Sequence, residues 1–276
     1  MEYHNPVLLK ETVDGLNIHP DGVYVDVTFG GGGHSREIMS RLGENGKLFA
    51  FDQDLDALKN AIDDERFTLI NENFRFIKRF LRFHGIKQVD GILADLGVSS
   101  HQFDVAERGF STRFDAELDM RMNQKGDISA YHVVNEYDEQ DIARVLFDYG
   151  ELKNARAMAN VIVTARKDKE IKNSDELKKV LAKFLPGHKS NKILAQIYQA
   201  IRIEVNQEMD VLKEFLEQSL EILKPGGRLS VISYHSLEDR LVKRFVKNGM
   251  FEGEPERDFF GNFEVPFKTI EKLIVP

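Results

Sequence analysis

The sequence contains no cysteine among its 276 residues, which excludes both a disulfide framework and a thiolate metal site. No apolar run approaches the roughly 20 residues that a membrane-spanning helix needs. The N-terminus, Met-Glu-Tyr-His-Asn-Pro, lacks the charged-then-apolar layout of a signal peptide. The eight histidines show no metal-ligand spacing, so we expect no metal ion. These absences predict a cytoplasmic protein.

Positive charge is outnumbered overall, since 38 Lys and Arg against 46 Asp and Glu give a formal net charge of −8. Such a balance argues against a nucleic-acid partner. Residues 144–192, however, contain 12 Lys or Arg against 6 Asp or Glu. An acidic body with one basic segment is compatible with local contacts to phosphates. A solvated helical surface explains the same segment equally well.

The order of strand-like and helix-like patterns predicts the fold class. Strand patterns at 23–28, 47–51, 67–70 and 91–94 alternate with helical patterns at 35–42, 55–62 and 77–83. This alternation is typical of a doubly wound, mostly parallel α/β sheet.

The strand signal then disappears, and helical periodicities follow at 139–149, 155–165 and 175–184. The α/β pattern resumes with a helix at 208–223 and a strand at 228–233. We therefore predict a Rossmann-like α/β domain formed by residues 1–103 and 207–276. A helical domain, 104–206, is inserted into it.

Four glycines, Gly30 to Gly33, directly follow the first predicted strand. Glycine there lets the backbone approach a ligand closely, beside the N-terminus of the next helix. Asp52 lies 20 residues beyond Gly32, at the end of the next strand. That spacing suits a carboxylate that accepts hydrogen bonds from ribose hydroxyls, in a dinucleotide or an S-adenosylmethionine site.

Three details favour S-adenosylmethionine. Counted from Gly30, the third glycine of the dinucleotide fingerprint is replaced by Ser35. Asp26 precedes the loop, where its carboxylate could address the ammonium group of the cofactor. The segment Leu223-Lys-Pro-Gly-Gly-Arg-Leu-Ser-Val is similar to the late helix–turn–strand of class I methyltransferases.

Two further residues occupy positions that suit such a site. Phe74, shortly after the third strand, could supply an apolar face for adenine, although an ordinary core phenylalanine is the default. Asp95 closes the fourth strand, where the crevice of an open parallel sheet lies. A turn or helix-cap carboxylate explains Asp95 equally well.

Longer motifs carry a family resemblance. They are Asp26-Val-Thr-Phe-Gly-Gly-Gly-Gly-His-Ser, Asp95-Leu-Gly-Val-Ser-Ser, Gln199-Ala-Ile-Arg-Ile-Glu-Val-Asn and Val231-Ile-Ser-Tyr-His-Ser-Leu-Glu-Asp-Arg. With them, the sequence from His4 to beyond Lys243 closely resembles the RsmH (MraW) family. The resemblance implies a class I S-adenosylmethionine-dependent methyltransferase fold with a helical insertion.

The same resemblance implies a substrate and a cofactor site. The implied reaction methylates the exocyclic N4 of a cytidine in the decoding region of small-subunit (16S) ribosomal RNA. The partner would be that RNA or the assembled small subunit. S-adenosylmethionine would be held by Gly32, Gly33, His34, Asp52, Phe74, Asp95 and Gln102.

The reaction predicts roles for residues near the acceptor. Cytosine N4 is a poor nucleophile, so a hydrogen-bond acceptor on the amine would help it react and would take its proton. We expect Asp95 to lie near both cofactor and amine, with His235 the next candidate for contacting cytosine or relaying the proton. An oriented loop residue without chemistry is the equal alternative for His235. Arg166, Lys167 and Lys169 are the predicted RNA-facing side chains of the insert.

Other function classes remain open from the residues alone. A DNA cytosine-N4 methyltransferase usually carries a Pro-Pro-aromatic motif after the fourth strand, but Leu96 and Gly97 follow Asp95 here. A nicotinamide oxidoreductase is disfavoured by Ser35. A non-catalytic ribosome-assembly factor that retains the cofactor fold is compatible with the sequence. The oligomeric state is also open, and a homodimer is one of the states allowed.

Overall fold

The structure, a computed structural model, describes residues 6–261, 263 and 265–270. The chain divides into two compact units. Residues Met1–Gly97 and Met209–Pro276 form one, here called the sheet unit. Residues Val98–Glu208 form the other, here called the helical unit.

Within the described residues, five strands form one sheet in the order β3-β2-β1-β4-β5, and every pair is parallel. They are β1 Val23–Asp26, β2 Lys47–Phe51, β3 Phe67–Ile70, β4 Val89–Asp95 and β5 Leu223–Ile232. The predicted doubly wound parallel sheet is therefore confirmed. The strand order reverses between β1 and β4, and ligands of open α/β sheets bind at the carboxyl ends of the strands at such a point.

Helices account for most of the remaining regular structure. Those of the sheet unit are α1 Leu9–Gly15, α2 Gly33–Arg41, α3 Ile77–Phe83, α10 Glu208–Ile222 and α11 Ser236–Asn248. Those of the helical unit are α4 Ser100–Asp104, α5 Ala130–Asn135, α6 Glu139–Asp148, α7 Ala155–Asp168, α8 Ser174–Val180 and α9 Ser190–Asn206. None of the described helices is both long and apolar enough to cross a bilayer.

The strands are apolar runs because a parallel sheet is covered on both faces. All but the first residues of β1 and β2 are buried. Tyr24 and Leu48 from these strands pack in one core cluster with Ile38 of α2 and Leu93 of β4. This packing fixes the ends of β1 and β4, from which the candidate site is built.

The Pro-Gly-Gly turn differs from its predicted place between a helix and a strand. It lies inside β5, where pairing with β4 starts at Leu223, skips the turn and resumes at Arg228. Gly226 has φ 82°, the left-handed region that favours glycine. The turn is thus a bulge in a paired strand, a form that local sequence does not distinguish from a helix stop.

The predicted helix at 55–62 is a short 3₁₀ helix, Leu55–Asn60. Asp54 starts it by accepting a hydrogen bond from the Asp56 amide, 3.0 Å away. Only Ala57 within it is buried. Without an apolar stripe to pack, the segment gains too little to extend into a full α-helix.

The helical unit has a core of its own. Met120, Val145, Ala159 and Ile197 are fully buried in one cluster with neighbouring apolar side chains. The helical periodicities of the sequence anticipate α6 and α7. The predicted helix at 175–184 is instead α8, followed by a separate 3₁₀ turn at Ala182–Phe184.

Candidate active site

The loop after β1 is held in shape by Asp26. This carboxylate is fully buried and accepts hydrogen bonds from the Ser35 hydroxyl at 2.7 Å and the Thr28 amide at 3.1 Å. Burial raises the pKa of Asp26, and the bond from Ser35 opposes that rise. The expectation that Asp26 addresses an ammonium group is therefore wrong, because its oxygens are enclosed within the loop.

Gly32 forms the turn between this loop and α2. Its φ is 76°, and a Cβ there would come within 2.9 Å of the Phe29 ring. Gly33, the first residue of α2, would similarly bring a Cβ to 2.2 Å from Pro6. The packing of the protein therefore requires both predicted glycines. Gly32 is the N-cap residue of α2, and Gly33 is its first residue.

Asp52 lies just beyond the end of β2 and is tied to the glycine loop. Its Oδ2 accepts from the Gly30 amide at 2.7 Å, and its Oδ1 accepts from the Asp54 amide at 2.9 Å. Burial raises the pKa of Asp52 to about 6. Each carboxylate oxygen has a further lone pair, so the group can hold the loop and still accept from a diol.

Asp95 ends β4 at the point where the strand order reverses. Its amide donates to the Thr28 hydroxyl at 2.7 Å, which ties the ends of β1 and β4 together. No sequence pattern singles out Thr28, although it stands two residues after Asp26 in the glycine-loop motif. Burial raises the pKa of Asp95, while the hydrogen bond from Tyr234 acts in the opposite direction.

His34, in the first turn of α2, faces Asp95. The side chain is 5% exposed, and its Nδ1 lies 3.7 Å from Asp95 Oδ2. Its Nε2 is buried and has no hydrogen-bond partner among the described residues. Buried polar atoms are ordinarily satisfied, so an unpartnered one beside a glycine loop is a feature that a ligand would complete.

Phe74 begins a short 3₁₀ turn after β3. Asn73 caps that turn by accepting from the Arg75 amide at 2.9 Å. The Phe74 ring meets Phe215 of α10 edge to face, with centroids 5.4 Å apart, and stays partly exposed. Phe74 is therefore partly a packing residue and retains an accessible apolar surface.

Tyr234, two residues beyond β5, is the contact of Asp95 that sequence reasoning missed. Its hydroxyl donates to Asp95 Oδ1 at 2.8 Å. The family motif contains both Tyr234 and His235, and the sequence alone points to His235. The available signal was the position, since Tyr234 follows a strand adjacent to β4.

His235 instead serves as the N-cap of α11. Its Nδ1 lies 3.5 Å from the Glu238 amide, and its Nε2 lies 3.2 Å from the carboxylate of Glu238. Its side chain is only 8% exposed. The contacts support the alternative of an oriented loop residue over a proton relay.

Gln102 belongs to the helical unit, unlike the other predicted cofactor residues. It is buried in α4, where its side-chain oxygen accepts from the Ser99 amide at 3.1 Å. Ser99 reciprocates as the helix cap. The structure thus gives Gln102 a capping role, and its ligand role stays a prediction of the resemblance.

The three predicted RNA-facing residues have different surroundings. Arg166 is partly buried and donates to the carbonyls of Val134 and Tyr137, near the C-terminal end of α5. Lys167 and Lys169 are exposed, and Lys169 pairs with Glu176. Arg166 therefore has a structural role here, and the RNA-facing role of all three side chains stays a prediction.

The chain matches the MraW methylase family over residues 1–270. It is 82% identical over 276 residues to the ribosomal RNA small subunit methyltransferase H of Flavobacterium johnsoniae, covering 100% of this chain and 91% of that protein. The protein of the same name from Flavobacterium psychrophilum is 76% identical over 269 residues, covering 98% and 92%. That of Bacteroides thetaiotaomicron is 57% identical over 277 aligned positions, covering 100% and 91%.

These similarities extend over nearly the whole length of this chain and of each relative, and the sheet has the predicted parallel topology. They give no support to a homodimer. The chain therefore belongs to the MraW methylase family and has the class I S-adenosylmethionine-dependent methyltransferase fold.

Proposed function

We propose that this protein transfers a methyl group from S-adenosylmethionine to the exocyclic N4 of a cytidine in the decoding region of 16S ribosomal RNA, in the cytoplasm. Its relatives bear the name ribosomal RNA small subunit methyltransferase H. The observation that carries the proposal is the carboxylate of Asp95. Asp95 lies where the strand order reverses. Its carboxylate accepts a hydrogen bond from the Tyr234 hydroxyl, and its Oδ2 lies 3.7 Å from Nδ1 of His34.

The described residues fit the cofactor. His34 offers a buried nitrogen that no residue in the described part of the chain bonds, and Asp52 offers spare lone pairs beside the loop. Phe74 offers an apolar ring for adenine. When bound, S-adenosylmethionine supplies an electrophilic methyl group on its sulfonium. The residues proposed to hold it are Gly32, Gly33, His34, Asp52, Phe74, Asp95 and Gln102.

Asp95 would act on the acceptor. Its carboxylate can accept a hydrogen bond from the cytosine amine, which helps the delocalised lone pair localise on N4. As N4 forms its bond to the methyl carbon, one amine proton leaves toward Asp95 or water. Because burial raises the pKa of Asp95, its carboxylate is a better proton acceptor than an exposed one. The remaining task of the site is to hold N4 in line, about 3 to 3.5 Å from the methyl carbon.

The lysines of α7 and its C-terminal cap are proposed to contact the RNA backbone. Lys167 and Lys169 are exposed at the C-terminal end of that helix, within the basic segment 144–192. Phosphate contacts of this kind position an RNA without reading its sequence. The selection of cytidine would then depend on the pocket around Asp95.

Two competing functions are a DNA methyltransferase and a non-catalytic ribosome-assembly factor. A DNA methyltransferase would use the same cofactor, but the names of the relatives support a ribosomal RNA substrate. A non-catalytic assembly factor would retain the cofactor site without turnover. Only turnover separates it from an enzyme, since both would have the same buried carboxylate at Asp95.

The test is transfer of labelled methyl from S-adenosylmethionine to small ribosomal subunits that lack the modification, followed by nucleoside analysis. We expect N4-methylated cytidine as the labelled product. Cofactor binding without transfer would favour the assembly factor or another acceptor. A protein that binds no S-adenosylmethionine would overturn the proposal.

A further inference from the structure

Tyr234 is unusual among the residues around Asp95 because it is both anchored and exposed. Its hydroxyl is fixed by Asp95 Oδ1 at 2.8 Å, and its backbone amide donates to Glu238 Oε2 at 2.9 Å. Glu238 itself is 2% exposed. Yet 54% of Tyr234 is exposed. A large apolar ring held still at the surface, beside a reactive carboxylate, is not explained by packing.

Gly97 explains how the ring comes to lie there. It has φ 92°, and a Cβ built on it would be 3.4 Å from Cδ2 of Tyr234. The ring therefore lies against the turn that follows β4. The phenol is hydrogen-bonded to Asp95, and the ring lies against Gly97. These two contacts together fix the position of the ring relative to the carboxylate.

We propose that the exposed ring of Tyr234 is the platform on which the target cytosine stacks while its amine meets Asp95. This inference rests on the proposed function and names a residue that positions the methyl-accepting base. Aromatic faces bind nucleic-acid bases by stacking, and a phenol that also holds Asp95 Oδ1 leaves Oδ2 for the amine. The platform and the proton acceptor are then parts of one rigid unit.

The charges around Asp95 agree with this division of its oxygens. Tyr234 is the hydrogen-bond donor to the carboxylate, and His34 lies on the Oδ2 side. Among the described residues, the negative charges of Asp26 and Glu238 both act on Asp95 and raise its pKa. Burial and the charge of Asp95 raise the pKa of Tyr234, so the phenol keeps its proton and stays a donor.

Two variants separate the ring from its hydroxyl. Tyr234→Phe keeps the stacking face and removes the donor to Asp95. We expect its KM for the small subunit to stay within about twofold, while the acid limb of its pH–rate profile moves to higher pH, since the Asp95 carboxylate loses a stabilising bond. Tyr234→Leu removes the aromatic face, and we expect its single-turnover methyl transfer at subsaturating subunit to fall about ten- to a hundredfold.

A matched control is Phe83→Leu, which removes another exposed aromatic ring, 83% exposed, at the end of α3. It should transfer methyl at the wild-type rate. Calorimetric binding of S-adenosylmethionine, together with thermal unfolding, checks that each variant is folded. Equal rates for Tyr234→Leu and wild type, with wild type active, would overturn this inference alone. Inactivity of a wild-type protein toward small subunits would overturn the proposed function, and the platform with it.

Discussion

Single residues in this site have a structural role as well as a proposed role in binding. Asp52 fixes the glycine loop through Gly30 and keeps lone pairs for a ligand, and Thr28 joins β1 to β4 beneath Asp95. Such sharing explains why buried carboxylates gather at the carboxyl edge of the sheet. It also makes their protonation a property of folding as well as of binding.

Asp52 gives a prediction for stability against pH. Its pKa is raised from 3.8 to about 6 in the folded protein, so between these pH values the folded state holds a proton that the unfolded state has lost. Stability therefore contains a contribution that is present below pH 4 and is lost as pH rises toward 6. At 1.36 kcal/mol per unit, the loss is up to about 3 kcal/mol.

The measurement compares wild type with Asp52→Asn by urea denaturation from pH 4 to pH 7. Because asparagine does not titrate, the free energy of unfolding of the variant relative to wild type should increase between pH 4 and pH 6. Above pH 6 this difference should stay constant. A stability difference that stays constant from pH 4 to pH 7 would contradict the raised pKa.

At the scale of elements, the site depends on how two helices begin. α2 begins at a glycine turn, and α11 begins at a histidine cap directly after the tyrosine that reaches Asp95. Each start directs a loop toward the carboxyl edge of the sheet. Substitutions of Gly32 and His235, where these helices begin, should therefore distinguish three effects: backbone strain, steric overlap and the loss of a catalytic group.

Gly32 allows strain and overlap to be separated. Gly32→Ala places a Cβ at φ 76° and against the Phe29 ring, while Gly85→Ala places one at φ 75° with no other described side chain or backbone within 4 Å. Left-handed backbone alone should cost about 1 to 2 kcal/mol at Gly85. Gly32→Ala should cost that and a further 1 to 3 kcal/mol, roughly, for overpacking. Equal losses in urea denaturation would mean that the Phe29 ring moves aside freely.

His235 distinguishes a cap from a catalyst. Asparagine is a good N-cap and alanine is not, so His235→Asn should keep the stability of α11, while His235→Ala should lose about 1 kcal/mol. Since the contacts of His235 are with Glu238, His235→Asn should also keep the single-turnover rate of methyl transfer. A folded His235→Asn protein with a strongly reduced rate would restore His235 to the chemistry.

At the scale of the whole molecule, charge is distributed unevenly. The net charge of −8 would repel RNA, yet residues 144–192 are basic. Attraction to phosphates is local and screened beyond about 10 Å in 0.1 M salt, so a basic segment can act despite an acidic remainder. Whether this segment contacts RNA can be tested through salt dependence.

Lys167→Gln combined with Lys169→Gln should weaken binding to small subunits and reduce the slope of log affinity against log salt by about 1.5. The control combines Lys59→Gln with Lys87→Gln. It removes the same charge from exposed lysines of the sheet unit, one of which is also ion-paired, Lys59 with Asp56. Filter binding at several salt concentrations measures both. Equal slopes for the two double variants would exclude the lysines at 167 and 169 from the RNA surface.

The sequence alone determined the parallel sheet and the site's main components. Alternating apolar patterns report which residues are buried, and this is decided locally, so β1 to β4 and most helices were predictable. The glycine loop and the carboxylates at strand ends follow from the same pattern, because the carboxyl ends of parallel strands share one edge. The long motifs then indicated the family.

Only the tertiary structure decided which side chains meet. Asp95 and Tyr234 are 139 residues apart and come together through the pairing of β4 with β5. That Tyr234 rather than His235 reaches Asp95 depends on the backbone path after Ile232, which no periodicity encodes. Similarly, the burial of Asp26 comes from the closing of the loop around it. Contacts between distant residues depend on register and loop geometry, whereas a sequence pattern reports only local burial.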